Sequence, residues 1–295
     1  MSGRLINWRI ERWNYARYFV APFLGAYGSE HPNVEGSQQA IRFWEDTVGV
    51  WENGAGEIAG VVNIEHPVTS HPDFGEVFFQ RHPQYEFLLE EMLDYAEENL
   101  ANKEKNRIVA FAYDYDGAFQ ELLRRRGYQK DAERPGYGSE FFIKERPEQT
   151  LPTGYAIRSM ADENDVERRR KIFGLGFNHP DPKEWPTAFA YEELQRAPDY
   201  RRELDLYVVN PDGEYVACCI AWYDDLNRMG ILEPVATHPD FRRRGFGRAV
   251  VMEGVRRVAA LGAETVQVGS GQPFYEAIGF QKKFMGYCWT KELSE

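Results

Sequence analysis

Two stretches of this chain repeat each other, and the repeat limits what the chain can fold into. Phe79-Gln-Arg-His-Pro-Gln-Tyr85 leads into one helical pattern, and Val235-Ala-Thr-His-Pro-Asp-Phe241 leads into another. Further on, Leu123-Arg-Arg-Arg-Gly-Tyr-Gln-Lys130 matches Tyr275-Glu-Ala-Ile-Gly-Phe-Gln-Lys282. In each half a hairpin is followed by a strand, a long helix, a strand and a short helix. Such self-similarity predicts a tandem duplication of one α/β unit. The 295 residues leave room for two domains of ordinary size. The polar stretch 145–154, with two prolines and a glycine, is the predicted linker between domains at 1–147 and 152–295.

Local patterns fill in the units. Residues 5–13 read as a first strand, and 38–45 have helical spacing. Asn53-Gly54 marks a hairpin turn between 49–54 and 57–64. Phe87, Leu88, Met92, Leu93, Ala96 and Leu100 share one face of a predicted helix over 87–100. Asp162 is the expected N-cap of a helix through Val166 to Phe173. Three strand patterns, 204–209, 215–223 and 229–237, follow one another and lead to a helix over 248–261, with Gly262 suited to its C-terminal cap.

The two copies differ where the long helix begins. Tyr85 runs directly into helix, whereas the second copy inserts Arg242-Arg-Arg-Gly-Phe-Gly247. Small residues at a helix start aim successive N–H groups into one concavity, where the helix dipole adds positive potential. Gly245 and Gly247 permit close backbone approach, and arginines at 242, 243, 244 and 248 add charge. A pyrophosphate suits such a turn. The dinucleotide fingerprint would need a glycine where Val250 stands, and the Walker Gly-Lys-Ser/Thr is absent. A helix entry with a solvated basic rim is the plainer alternative.

With both motifs in view, the second half resembles the GNAT family of acyl-CoA-dependent N-acetyltransferases. Arg242–Gly247 fits the family's Arg/Gln-x-x-Gly-x-Gly/Ala motif, and Phe274-Tyr-Glu-Ala-Ile-Gly-Phe280 fits its later Phe-Tyr-x-x-x-Gly-Phe motif. The resemblance covers residues 155–291, and the first half is similar as a degenerate copy. It implies a mixed α/β fold: two tandem GNAT-like domains, each a mostly antiparallel sheet with flanking helices and a splayed strand pair. It also implies acetyl-CoA as co-substrate, with the pyrophosphate on residues 242–248 (Phe246 included). The pantetheine arm would lie in the splay, bonded by the backbone of Val235, Ala236 and Thr237. Pro234, which lacks an N–H, is consistent with a break in regular pairing there.

Amine acetylation needs a base for the amine and an acid for the departing thiolate. By the resemblance, Tyr275 is the acid, and a phenol of ordinary pKa about 10 is protonated at neutral pH. Leu123 holds the matching place in the first half. Glu233 is the candidate base, directly or through water; pairing with a local arginine is the alternative for such a carboxylate. Strict alternation puts Ile231, Glu233, Val235 and Thr237 on one face. The family's catalytic glutamate on this strand stands two residues earlier, at Ile231. Trp222, Tyr223, Asp224 and His179 are weaker candidates for holding the acceptor, with core packing, a solvated turn and an exposed loop as their alternatives. His238 recurs as His82 in the copy without the turn, which favours a structural role.

Composition narrows partners. A net charge of −12 argues against non-specific binding to nucleic acid or an anionic membrane. No apolar run approaches a membrane span, and the first residues lack a signal-peptide core. Three cysteines, two of them adjacent, make no disulfide framework, so a cytoplasmic location is expected. No metal-ligand spacing appears. The expected function is transfer of an acetyl group to a primary amine of a small-molecule acceptor, in a ternary complex, by a monomer or homodimer. The alternative is a non-catalytic acyl-CoA-binding or sensor protein.

Overall fold

The computed structural model describes residues 39, 42–64, 75–133, 135–144, 151–196 and 199–293. The strand expected at 5–13 and residues 145–150 of the expected linker lie outside them. In chain order the first half contributes β1 (Gly49–Glu52), β2 (Ile58–Ile64), β3 (Glu76–Arg81), α1 (Leu89–Asn99), β4 (Arg107–Tyr113), α2 (Gly117–Arg125), β5 (Gln129–Lys130) and β6 (Gly136–Phe142). Then come β7 (Ala156–Ser159), α3 (Val166–Gly176), α4 (Ala188–Leu194), β8 (Asp205–Val209), β9 (Tyr215–Asp224) and β10 (Met229–Thr237). The chain continues with α5 (Phe246–Leu261), β11 (Thr265–Val268), α6 (Pro273–Ala277) and β12 (Gln281–Glu292).

These elements form two compact units. In the first, the sheet order is β1-β2-β3-β4-β12, antiparallel except for the parallel β3·β4 pair. In the second it is β6-β11-β10-β9-β8-β7, antiparallel except for the parallel β10·β11 pair. Each unit has its own apolar core. Trp44, Met92, Leu93, Phe119, Leu123 and Trp289 are central to the first; Leu206, Phe246, Val250, Val255, Val266 and Phe280 to the second.

The expected boundary at 147–152 is linear, but the units are not. The first takes residues 283–292 of β12, and the second takes 139–142 of β6. Each sheet is thus closed, on the far side of its parallel strand, by a strand from across that boundary. Local periodicity carries no information about such pairing.

Other differences are local. The helix expected from residue 87 begins at Leu89, because His82 and Pro83 first start a 3-10 turn over 83–88 whose Tyr85 has non-helical backbone angles. Phe87, expected on the apolar face, is exposed. The cap of α3 is Asp165, which accepts from Arg168 N–H at 2.9 Å. Asp162 instead accepts from the N–H and hydroxyl of Ser159, at 2.7 and 2.8 Å, closing the turn after β7.

Candidate active site

The site forms where β10 loses a neighbour. Along β9 it is paired over most of its length, but it pairs with β11 at only three residues, Met229, Gly230 and Ile231. Beyond them the two parallel strands diverge, so β10 presents unpaired backbone edge to the gap. Midway, the β9 register shifts by one residue between Leu232 and Val235. Ile231 stands opposite Trp222, and Val235 opposite Cys219. Trp222 and Cys219 are an odd number of residues apart and point to opposite faces. The expectation that Ile231, Val235 and Thr237 share a face is therefore wrong, because the extra residue reverses the alternation. Trp222 Nε1 donates to Glu233 O at 2.8 Å within this irregular segment, whose Glu233-Pro234 bond is cis.

The turn after β10 begins with His238, whose Nδ1 accepts from Asp240 N–H at 3.2 Å. Arg243 (φ +63°) and Gly245 (φ +86°) then take left-handed backbone conformations. The first intrahelical bond of α5 runs from Ala249 N–H to Gly245 O. The N–H groups of Phe246, Gly247 and Arg248 therefore have no acceptor within the helix. Gly247 keeps the ground above them open: a Cβ there would lie 2.9 Å from Thr237 Oγ1 and 3.5 Å from the Phe274 ring.

These features face one cleft of about 640 Å³. Its floor is the edge of β10 at Val235, Ala236 and Thr237. One wall is the turn and start of α5, with Arg243, Gly245, Gly247 and Arg248. The end is closed by Gln272, Phe274 and Tyr275, and the opposite wall is the C-terminal end of α3 at Gly176, Phe177 and Asn178. Arg243 and Arg248 make no hydrogen bond or ion pair with other described residues. The cleft thus offers unpaired strand edge, helix-start amides and two available guanidinium groups, a cradle suited to an extended arm ending in a pyrophosphate.

A family model described as the acetyltransferase (GNAT) family matches residues 170–287. It is residues 170–287 that carry this match to the GNAT acetyltransferase family. Solved structures share its fold. A GCN5-related N-acetyltransferase from Sphaerobacter thermophilus has a TM-score of 0.57 at 18% identity, over 95% of this chain and 93% of its own. A tandem GNAT protein from the clavulanic acid biosynthesis pathway has a TM-score of 0.61 at 12% identity, over 96% of each chain. A GCN5-related N-acetyltransferase from Kribbella flavida has a TM-score of 0.51 at 14% identity, over 87% of this chain and 95% of its own. No curated protein matches the chain in sequence.

Within the matched region, the residues singled out in the sequence part company. Tyr275 lines the cleft and is 8% exposed. Burial above all, then Cys219 and the charge of Glu233, pushes its phenol well above the usual tyrosine range. Glu233 is half-buried on β10; it acts on Tyr275 through its charge but is not among the residues lining the cleft. Phe246 is 2% exposed, its ring 4.6 Å from that of Tyr155, so its side chain serves the core while its N–H faces the turn. Arg244 lies over the Phe241 ring, 5.3 Å from its centroid, and is outside the cleft lining. Arg242 lines the cleft but is engaged: its Nε donates to Thr237 O at 3.1 Å, and one NH2 group donates to Gly176 O and to Asn178 Oδ1, both at 2.8 Å.

The weaker acceptor candidates lie elsewhere. Asp224 is fully buried and accepts from the N–H and side-chain amide of Asn227, which makes it a turn carboxylate. Tyr223 packs against the second core, close to Gly262 at the far end of α5. Trp222 is buried and reaches Glu233 through its backbone. His179 is half-exposed, its Nδ1 3.5 Å from Glu184, and its carbonyl accepts from Trp185 Nε1 at 2.9 Å. None of the four lines the cleft. The α3 wall was missed in the sequence. Its signal was Gly174-Leu-Gly176: two glycines in one helix are costly unless something packs there. A Cβ on Gly174 would collide with Trp185, and one on Gly176 with Ala236.

The first unit shows what replaces the cleft. Its parallel pair β3·β4 is also three residues long, ending at Phe78 and Phe111. At the end of β3, Arg81 forms a buried two-pronged ion pair with Asp116, both contacts at 2.8 Å. Leu123, in the place of Tyr275, is fully buried in the first core. His82 repeats the His238 cap, with Nδ1 accepting from Gln84 N–H at 3.2 Å. The His-Pro pair therefore belongs to the fold and the glycine turn to the second unit's site. No cluster of three or more potential metal ligands occurs among the described residues, and none of their helices is long and apolar enough to cross a membrane.

Proposed function

We propose that the second unit transfers an acetyl group from acetyl-CoA to a primary amine of a small acceptor, by direct attack within a ternary complex. The observation that carries this reading is the convergence of unpaired β10 edge, glycine-floored helix start and protonated Tyr275 on one cleft. The α5 amides with Arg243 and Arg248 would take the pyrophosphate, and the backbone of Val235, Ala236 and Thr237 the pantetheine amides. The amine nitrogen attacks the thioester carbonyl carbon, the C–S bond breaks, and the phenol of Tyr275 gives its proton to the departing sulfur. The proton shed by the amine goes to Glu233 through an intervening water, because that carboxylate stands outside the cleft lining. An ordinary phenol is already protonated at neutral pH, so Tyr275 holds the proton the departing sulfur needs; its burial in the cleft keeps that proton beside the sulfur and is not what makes it acidic.

Acetyl transfer to a broad amine panel, with Tyr275→Phe alongside the native protein, tests this. Turnover of one amine, cut by about a hundredfold in the variant, is the expected outcome. Tight acetyl-CoA binding with transfer to no amine would instead favour a non-catalytic acyl-CoA binder.

A further inference from the structure

Arg242 heads the motif that the sequence assigns to phosphate, yet its donors are turned the other way. A guanidinium has five N–H donors in a fixed fork. Three of Arg242's are directed at protein oxygens: Thr237 O, Gly176 O and Asn178 Oδ1. Gly176 is the last residue of α3, so its carbonyl has no partner within the helix, and a cation there also suits the helix dipole. Asn178 has a left-handed backbone (φ +67°) and lines the cleft with Gly176 and Phe177. Backbone of α3 lies directly on β10 here, since a Cβ on Gly176 would meet Ala236 Cβ at 2.5 Å and Thr237 N at 3.2 Å. One side chain thus joins three parts of the cleft: the phosphate-facing turn, the end of β10 and the opposite wall.

We infer that Arg242 is a positioning residue that couples the turn to the 176–178 wall, so that pyrophosphate bound in the turn fixes the wall that confronts the acceptor. The inference rests on the acetyl-CoA reading for its coupling, though the clasp itself does not. Arg242 directly precedes Arg243 and stands three residues before Gly245, and the left-handed conformations of those two residues shape the turn. A ligand that orders residues 243–247 therefore holds the base of the Arg242 side chain. The guanidinium passes that order to residues 64 and 66 positions away in sequence.

Hydrogen exchange on the full chain reads this directly. The amides of Phe177, Asn178 and His179 are bonded to the carbonyls of Phe173, Leu175 and Gly174 and report the wall; that of Ala249 reports α5. Without ligand, Arg242→Ala should speed exchange at the first three by about tenfold and leave Ala249 unchanged. Asn178→Gly, which keeps the left-handed backbone and removes one acceptor, should give a smaller change of the same kind. Acetyl-CoA should slow the three wall amides in the native protein and fail to do so in Arg242→Ala, while its Kd rises no more than about threefold. In acetyl transfer, the variant's loss should fall on the acceptor KM.

Unchanged exchange at the wall in Arg242→Ala overturns the clasp. A rise in Kd of about thirtyfold, as loss of a charged phosphate contact would give, overturns it as well. If the native protein binds no acetyl-CoA, the functional reading and the coupling fail together, while exchange in the free protein still decides the clasp.

Discussion

Trp222 and Glu233 are joined across β9 and β10 by an indole N–H to carbonyl bond of 2.8 Å. It falls where the strands lose register, so a side chain supplies a partner that the ladder does not. The Tyr200 ring lies 6.1 Å from Trp222 and its hydroxyl bonds Asp205 at 2.8 Å, so the contact is backed by buried groups. Trp222→Phe keeps an aromatic ring and removes the donor. It should destabilise the protein by about 2 kcal/mol in urea denaturation, from the lost hydrogen bond plus lost volume.

Two glycines of the turn should separate stability from binding. Gly247→Ala adds a methyl 2.9 Å from Thr237 Oγ1, into the open ground of the cleft. It should weaken acetyl-CoA binding by at least about tenfold in calorimetry, with unfolding free energy changed by less than about 1 kcal/mol. Gly245→Ala meets no neighbour but must adopt φ +86°, so it should cost about 1–2 kcal/mol of stability.

Asp205 is fully buried and accepts from Arg169 Nε at 2.8 Å, from Tyr200, and from Tyr191 in a short contact. Asp205→Ala leaves the Arg169 charge buried with no carboxylate and should cost about 3–5 kcal/mol. Replacing both, as Arg169→Leu with Asp205→Leu, should recover a large part of that loss. A double-mutant cycle in urea would show the coupling as strong non-additivity.

Alkaline pH should destabilise the second unit. Burial is the first cause holding the Cys218 and Cys219 thiols above their ordinary value of 9.0, and the Tyr191 and Tyr275 phenols above 10.0. Groups with raised folded-state pKa values keep their protons in the native state while the unfolded chain loses its own. Unfolding then releases protons, and stability falls as pH rises. The contribution is complete below about pH 8 and declines from about pH 9 upward. Denaturation midpoints at pH 7, 9 and 10.5 should fall in that order, and a flat series would refute the assignment.

Much of the second unit was legible because its punctuation is local. His238-Pro239, Gly245, Gly247 and Gly262 mark turns and helix ends by backbone chemistry, and the repeat showed which belonged to the fold. What stayed hidden is set by distance or by insertion. One extra residue reversed the side-chain alternation between Ile231 and Val235, and only Pro234 hinted at it. Arg242 reads as a phosphate ligand because its partners, Gly176 and Asn178, are remote in sequence. Asp162 and Asp165 are equivalent caps by residue type, and only the path of the chain after β7 decides between them.

The exchange of closing strands bears on how the chain is made. Tyr287 and Trp289 belong to the first core, yet they are translated after the whole of the second unit. On the ribosome, the β4 edge and the apolar surface beneath it must wait, uncovered, through the synthesis of more than a hundred further residues. The first unit is therefore the last to be completed in synthesis, when β12 reaches β4.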